Sequence, residues 1–380
     1  MTSHSGSNRP MPSDTLAQQA DSLPLMSIII PVYNGAHIIG PLLDSIQQLD
    51  YPPNRYEVLV VDNNSTDDLE SVVAPYPVKL SHERDVQGSY AARNQGIKQA
   101  RGEILVFTDA DCRVHPQWLR CLQAAFVDAA IGGAAGTIQG VEPAGSWVEE
   151  VLNRRHHMSS VDRRHSSNGS SPKLKRSFKR PTRRLPRLLR RLGLVTYYDD
   201  PRLPSLPIAP TANVAYRREA FEKAGLFDAT YFGGGDLEFA IRLQQQSDME
   251  LVAVPDAIVY HRHRATLRQL FRVHTLYSTS RIVHIERYLG LDNALRRQIL
   301  IENLAYLMIG IPWSSAKIVF RALHTAVFGS PCPLYTREMI VDLVTLISAC
   351  RASIRACNLL QQGRRDELWT LADPARHAGR

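Results

Sequence analysis

Two aspartates close a short apolar run in the N-terminal half of this 380-residue chain. The run, Ile104 to Phe107, has the length and the β-branched and aromatic content of a buried parallel strand, and Gly102 marks its entry. Ligands bind at the carboxyl ends of strands in open α/β sheets, which is where Asp109 and Asp111 fall. Alternation along an extended chain puts both carboxylates on one side, so they could bind one divalent cation together. A solvated acidic turn explains these residues equally well when they are considered alone.

Earlier segments deliver more polar residues to the same predicted edge. An apolar run that starts at Met26 is stopped by Pro31 and followed by Tyr33. A second run, residues 56–61, ends in an Asp-Asn-Asn-Ser-Thr-Asp cluster that opens with Asp62. Independent strands that bring polar groups to one edge favour a catalytic site over a solvated turn.

Helical patterns separate these strands. Apolar residues at helical spacing between residues 36 and 48, and an alanine-rich segment at 88–100, predict helices between successive strands. Strand and helix therefore alternate over the first 110 residues, and the predicted fold class is α/β: a doubly wound, mainly parallel sheet with helices on both faces. From Leu267 onward, aliphatic stripes predict a C-terminal helical region.

The ordered motifs of the chain resemble those of family 2 glycosyltransferases of the GT-A fold. The motifs are Ile-Ile-Pro-Val-Tyr-Asn at 29–34, Val-Val-Asp-Asn-Asn-Ser-Thr-Asp at 60–67, Ala-Arg-Asn-Gln-Gly at 92–96, Thr-Asp-Ala-Asp at 108–111, and the later segments 213–218, 225–228 and 233–238. The resemblance covers roughly residues 25–265. It implies a Rossmann-like GT-A domain that transfers a sugar from a nucleotide-diphosphate donor, with a divalent metal, Mn²⁺ or Mg²⁺, on the diphosphate.

The resemblance also implies roles for individual residues. The nucleotide-sugar-binding set is Pro31, Tyr33, Asp62, Asn64, Arg93 and Asp109, and the metal set is Asp111, Asp109 and a late histidine, His261. Asp236 matches the aspartate of the family's Glu-Asp pair, the usual general base, but Gly235 stands where the glutamate is expected. Each role has a plainer alternative: a helix-surface charge for Arg93, a helix cap for Asp236, and a surface histidine for His261 or His263.

These assignments predict an enzyme that performs inverting glycosyl transfer to a hydroxyl of a glycan or a lipid-linked acceptor. A nucleotidyltransferase of similar fold would need a glycine-rich, basic phosphate-binding loop after the first strand, and residues 33–36 do not supply one. A basic scaffold that binds membrane or nucleic acid is the other alternative. The acidic motifs have no role in such a scaffold, and no nucleic-acid partner is predicted.

Charge is concentrated in one segment. The formal net charge is +8, yet residues 173–191 hold ten Lys or Arg and no acid, so the rest of the chain is net −2. This pattern predicts either a solvated basic loop or a segment drawn to an anionic membrane surface. Five cysteines without a Cys-x-x-Cys pair indicate a reducing compartment and no zinc site.

The predicted domain organisation has four parts. Residues 1–24 form a polar tail without the apolar core of a secretory signal, and residues 25–265 form the GT-A domain with a basic insertion at about 163–195. Residues 266–365 form the helical region, and 366–380 a second tail. The longest uncharged windows, 303–316 and 322–336, fall short of the 18 residues or more that a spanning helix needs. We therefore expect a cytoplasmic enzyme held peripherally on the inner face of the membrane.

Overall fold

A computed structural model describes residues 23–154, 209–328 and 333–368. The predicted N-terminal tail, the basic insertion and nearly all of the predicted C-terminal tail lie outside these residues. Within them, the chain forms one eight-stranded sheet followed by a helical region. The strands are β1 (Met26–Val32), β2 (Tyr56–Asp62), β3 (Lys79–His82), β4 (Ile104–Thr108), β5 (Cys112–Val114), β6 (Ile131–Gly140), β7 (Asn213–Arg217) and β8 (Glu250–His261).

The sheet order is β3-β2-β1-β4-β7-β6-β8-β5. The first four positions are parallel, as the alternation of strands and helices predicts. Beyond β4 the sheet is mixed, because β7 runs antiparallel to both β4 and β6 while β8 runs parallel to β6. The α/β class with a mainly parallel sheet is therefore confirmed, although the strictly parallel pattern of the first 110 residues does not continue. Two closing strands predicted between 252 and 260 are one strand, β8.

Helices cover both faces of the sheet. They are α1 (Ala36–Ile46), α2 (Leu69–Val73), α3 (Ser89–Gln99), α4 (Trp118–Ala125), α5 (Trp147–Arg154), α6 (Arg218–Ala224) and α7 (Gly235–Gln246). Alternation along β1 separates two cores: Ile28 and Ile30 belong to the core that includes α1 and α4, and Ile29 belongs to the core that includes α3, α6 and α7. With both faces buried, the sheet exposes polar groups at its carboxyl edge, where the candidate residues lie.

Four further helices form the C-terminal region: α8 (Leu267–Leu289), α9 (Asn293–Ala305), α10 (Ile311–Phe328) and α11 (Pro333–Gln361). Helices α8, α9 and α11 share an apolar core that includes Ile285, Ile299 and Cys357. A π-helical turn, Tyr306–Gly310, joins α9 to α10, so the uncharged window at 303–316 lies within a longer continuous helix.

That longer helix changes one expectation from the sequence. The stretch Asn293–Phe320 has 28 residues and contains an 18-residue window of mean hydropathy 1.2, of which 28% is buried. By length and composition it is able to cross a membrane, contrary to the expectation that no window is long enough. Composition does not distinguish a spanning helix from one that lies in the plane of a bilayer.

Candidate functional site

The carboxyl end of β2 carries Asp62, which is 8% exposed. Its Oδ1 accepts a hydrogen bond from the Ser65 backbone N–H at 3.0 Å, and its Oδ2 lies 3.1 Å from His82 Nδ1. Burial alone would raise the pKa of Asp62, but the hydrogen bonds from Ser65 and His82 outweigh it and lower that pKa. Asp62 is therefore held as a carboxylate, in a form that accepts hydrogen bonds.

The loop after β1 is joined to the loop after β2. Asn34 and Asn64 both adopt positive φ, 49° and 63°, which asparagine tolerates better than most residues. Asn34 Oδ1 accepts the Thr66 N–H at 2.7 Å, and the Asn64 amide donates to the Arg84 carbonyl at 3.2 Å. Asn64, predicted to bind the nucleotide sugar, thus has its amide engaged within the protein.

Two other predicted residues sit beside this loop pair. Pro31 is half-buried near the end of β1, which is parallel to both β2 and β4. Tyr33 follows β1 and is 58% exposed. An aromatic ring exposed to this extent at the strand edge is available to stack on a planar ligand.

Arg93 of α3 pairs with Asp109, which follows β4. Arg93 Nη2 lies 2.5 Å from Asp109 Oδ1, and Arg93 is only 3% exposed. Its Nε is buried and has no hydrogen-bond partner among the described residues. A guanidinium so buried is not a helix-surface charge, and its free N–H fits an anionic or hydroxyl-bearing ligand.

A second cluster joins both ends of the sheet-forming chain. Antiparallel pairing of β5 with β8 sets Cys112 opposite His261. His261 Nε2 lies 3.4 Å from Asp111 Oδ1, and ligand atoms of Asp111, Cys112 and His261 all lie within 4.8 Å of one another. His261 is 4% exposed, so it is not a surface histidine, and His263 lies outside this cluster. Burial lowers the pKa of His263 to about 4, which keeps it neutral.

The chemistry of this cluster fits a divalent cation. Adjacent ligand atoms that each lie about 2.1 Å from one ion are roughly 3 Å apart, so the 3.4 Å between Asp111 and His261 is compatible with shared coordination. A carboxylate with an imidazole suits Mn²⁺, and His261 Nδ1 is buried without a partner among the described residues. Burial and the charges of Asp111 and Asp109 raise the pKa of Cys112 well above its usual range, so its sulfur is a neutral thiol.

Asp236 opens α7 after three glycines. Its Oδ1 accepts hydrogen bonds from Leu237 N–H at 2.9 Å and from the Tyr90 hydroxyl at 3.3 Å, and its Oδ2 accepts the Thr211 N–H at 3.4 Å. Burial raises the pKa of Asp236, and these donors together with the Arg93 charge oppose that rise. Asp236 is not only a helix cap, since Tyr90 and Thr211 reach it from outside α7.

Helix α8 holds the glycine run from behind. The Ser280 hydroxyl donates to the Gly233 carbonyl, and Arg287 Nη1 lies 2.7 Å from Asp228 Oδ2. Gly234 has φ +77°, and a Cβ there would lie 3.0 Å from both Ser280 and His284. His284 stacks on the Tyr231 ring at 5.2 Å between centroids, and burial lowers its pKa to about 4. The loop that carries Asp236 is therefore packed against the C-terminal region.

Sequence reasoning overlooked several of these participants. Tyr90 lies three residues before Arg93 on α3, and that spacing places both on one helix face, which is a signal the sequence offered. Cys112, Thr211 and the α8 residues carry no such signal. They become part of the site only through long-range pairing.

Comparison with known proteins identifies the family. A sequence model of glycosyl transferase family 2 matches residues 27–225, just over half of the chain. The chain therefore belongs to glycosyl transferase family 2, and its fold is that of GT-A glycosyltransferases.

Individual relatives are similar over shorter stretches. Glycosyltransferase AglE of Haloferax volcanii is 38% identical over 134 residues, which are 34% of this chain and 44% of that protein. Validoxylamine A glucosyltransferase of Streptomyces hygroscopicus subsp. limoneus is 26% identical over 256 residues, 62% of this chain and 50% of that protein. The chain thus matches half or less of the length of these curated relatives.

Among solved structures, the mannosyltransferase PcManGT of Pyrobaculum calidifontis, in complex with GDP-Man and Mn²⁺, has the same fold. The TM-score is 0.50 at 19% sequence identity, over 87% of this chain and 88% of that one.

Proposed function

We propose that this protein is an inverting glycosyltransferase that moves a sugar from a nucleotide-diphosphate donor to a hydroxyl of a glycan or lipid-linked acceptor. The observation that carries the proposal is one chain of side-chain contacts, which runs from Asp109 through Arg93 and Tyr90 to Asp236. It joins the edge that bears the candidate cation cluster to a partly buried carboxylate able to act as a base.

In this proposal Asp236 is the general base. It removes the proton of the acceptor hydroxyl, whose oxygen forms a bond to the anomeric carbon while the bond from that carbon to the diphosphate oxygen breaks. Oδ2 is the oxygen that receives the proton, because Oδ1 already accepts two hydrogen bonds and Oδ2 accepts one, long, bond. The incoming proton stays on Asp236, and the nucleoside diphosphate leaves with the electron pair.

The donor end of the site is assigned to the remaining residues. Tyr33 and Pro31 line the base, Asp62 accepts a hydrogen bond from base or ribose, and Arg93 and Asp109 hold the ribose or the donor sugar. A divalent cation, Mn²⁺ or Mg²⁺, held by Asp111 and His261 with Asp109 nearby, would neutralise the diphosphate when bound. The PcManGT complex with GDP-Man and Mn²⁺ supports a donor of this class.

The test combines a donor screen with one substitution. UDP- and GDP-sugars with Mn²⁺ or Mg²⁺ are assayed for release of the nucleoside diphosphate in the presence of hydroxyl acceptors, with wild-type protein and Asp236→Asn. We expect Asp236→Asn to bind donor like wild type and to turn over slower by on the order of a hundredfold or more, as when a general base is lost. Equal losses of donor affinity and turnover would make Asp236 a structural cap.

We also propose a cytoplasmic location at the inner face of a membrane. Of the described residues, the exposed large apolar side chains concentrate on one helical stretch; Leu304, Met308, Trp313, Phe320 and Leu323, which we call the apolar face, are each more than half exposed. No acidic residue occurs between 303 and 337, whereas Lys317 and Arg321 do. Lys317 Nζ lies 4.8 Å from the centre of the Trp313 ring. Apolar contact flanked by cations suits the surface of an anionic bilayer.

A further inference from the structure

The space beside Gly235 is filled by the ring of Tyr90. A Cβ at position 235 would lie 2.8 to 3.0 Å from three ring carbons of Tyr90, closer than real Cβ contacts occur. The ring is itself fixed, because Tyr90 is 4% exposed and packs against Phe227 with 5.6 Å between centroids. A glutamate at 235, the residue that the family resemblance leads one to expect, cannot fit while this ring is present.

The hydroxyl of Tyr90 meets both the side chain and the backbone of Asp236. It donates to Asp236 Oδ1 at 3.3 Å and accepts the Asp236 N–H at 3.2 Å. Burial and the Asp236 charge raise the pKa of Tyr90 well above its usual range, so the hydroxyl keeps the proton that it donates. These two bonds hold both the position and the rotamer of the carboxylate.

The same side chain also touches the donor end of the site. The Arg93 guanidinium lies 5.3 Å from the Tyr90 ring centre and pairs with Asp109. One tyrosine thus contacts both the residue assigned to the donor and the residue assigned to the base.

We infer that Tyr90 is the positioning residue for Asp236, and that Tyr90 and Gly235 together replace the missing glutamate. The inference rests on the proposed role of Asp236 as general base and adds the residue that orients it. Tyr90 acts through Asp236 and is not assigned any contact with the substrate.

The first experiment uses Tyr90→Phe, which keeps the ring and removes only the hydroxyl. A carboxylate that loses a hydrogen bond is less stable in its charged form, so the pKa of Asp236 should rise in this variant. The pKa is read by ¹³C NMR of protein labelled at aspartate Cγ, with the Asp236 signal assigned from Asp236→Asn. This readout needs no substrate.

Other groups around Asp236 limit what else could titrate. Arg93 of α3 is a permanent cation, and Tyr216 of β7 and Tyr277 of α8 have pKa values raised, chiefly by burial, that of Tyr277 to about 12. None of these groups changes charge in the range where a carboxylate titrates. A shift of the Asp236 signal therefore reports on Asp236.

With a donor identified by the screen, the kinetic expectation is specific. Tyr90→Phe should lower kcat by on the order of tenfold, leave the donor KM unchanged and move the acid limb of the kcat profile to higher pH. The matched control is Tyr51→Phe, since Tyr51 is also 4% exposed and donates one hydrogen bond, to the Pro24 carbonyl at 2.8 Å, far from Asp236. Tyr51→Phe should change none of these quantities.

A second pair of variants tests the packing. Gly235→Ala should lower the thermal unfolding midpoint in the wild-type background and lower it much less in Tyr90→Ala, where the ring is absent. Equal effects in both backgrounds would refute the pairing of ring and glycine. A Tyr90→Phe protein with wild-type kcat and Asp236 pKa, when Asp236→Asn is inactive, would refute the positioning role while leaving the proposed function intact. An active Asp236→Asn would overturn both.

Discussion

His261 Nε2 lies 3.4 Å from Asp111 Oδ1, although the two residues belong to strands from opposite ends of the sheet-forming chain. The pairing of β5 with β8 creates this proximity, and a cation held there would link the two strands. Loss of either ligand should therefore affect metal-dependent binding before it affects the fold.

Asp111→Ala should abolish Mn²⁺-dependent binding of nucleoside diphosphate, because the variant loses the only carboxylate of the cluster formed by Asp111, Cys112 and His261. Isothermal titration calorimetry of UDP and GDP with and without Mn²⁺ measures the effect. The control is Asp50→Ala, which removes an exposed carboxylate paired only with Arg120 at 3.3 Å. Mn²⁺-dependent binding that survives in Asp111→Ala would contradict the prediction.

His261→Ala should weaken Mn²⁺ affinity by roughly tenfold or more and leave metal-free nucleotide binding unchanged. Titration of Mn²⁺ followed by electron paramagnetic resonance reports the metal affinity directly. His37→Ala, on the exposed side of α1, is the matched histidine control. If both variants bind Mn²⁺ like wild type, His261 is only a buried structural histidine.

Arg242→Met should destabilise the fold by about 3 kcal/mol, because it leaves a buried carboxylate without its main partner. Glu238 is fully buried, and Arg242 reaches it with Nε and Nη2 at 3.0 and 2.9 Å. Urea denaturation followed by circular dichroism gives the change in the free energy of unfolding.

The companion variant is Glu238→Gln with Arg242→Met. Removal of both charges should cost clearly less than the sum of the two single changes, since no unpaired charge remains buried. Strict additivity would show that the pair contributes no coupling.

Vesicle binding tests the apolar face. Met308→Ser with Phe320→Ser should lower co-sedimentation with anionic liposomes and lower it less when lipid is neutral, since the electrostatic part is then already absent. Binding should also weaken with salt, because the Debye length is about 8 Å at physiological ionic strength. A chain that lacks 168–191 separates the contribution of the basic segment. Wild-type protein that binds no anionic vesicles at low salt would refute the peripheral location.

The carboxyl-edge aspartates could be predicted from the sequence because their position depends on local order. A buried apolar run followed by Asp62 or Asp109 fixes the strand and its polar end within a few residues. The parallel half of the sheet follows from the same alternation. Side chains that meet through nearest-neighbour parallel strands are thus accessible to sequence reasoning.

The rest of the site depends on contacts between distant segments. Strand β7 enters the sheet between β4 and β6 in antiparallel orientation, and nothing in its composition specifies that position. The short β5 pairs with the end of β8, which brings Cys112 to His261. The packing of α8 behind Gly233 and Gly234 depends on close approach of backbones, which a single sequence does not encode as a pattern.

The contacts of α8 also bear on where the working unit of this protein ends. The family match stops at residue 225, yet Asp236 lies beyond it and is backed by Ser280 and Arg287, farther on still. A protein shortened at residue 265 would keep every strand and lose the surface against which the base-bearing loop rests. The C-terminal helices are therefore no detachable accessory, and exchange of this region between relatives should carry changes in turnover along with any change in cellular address.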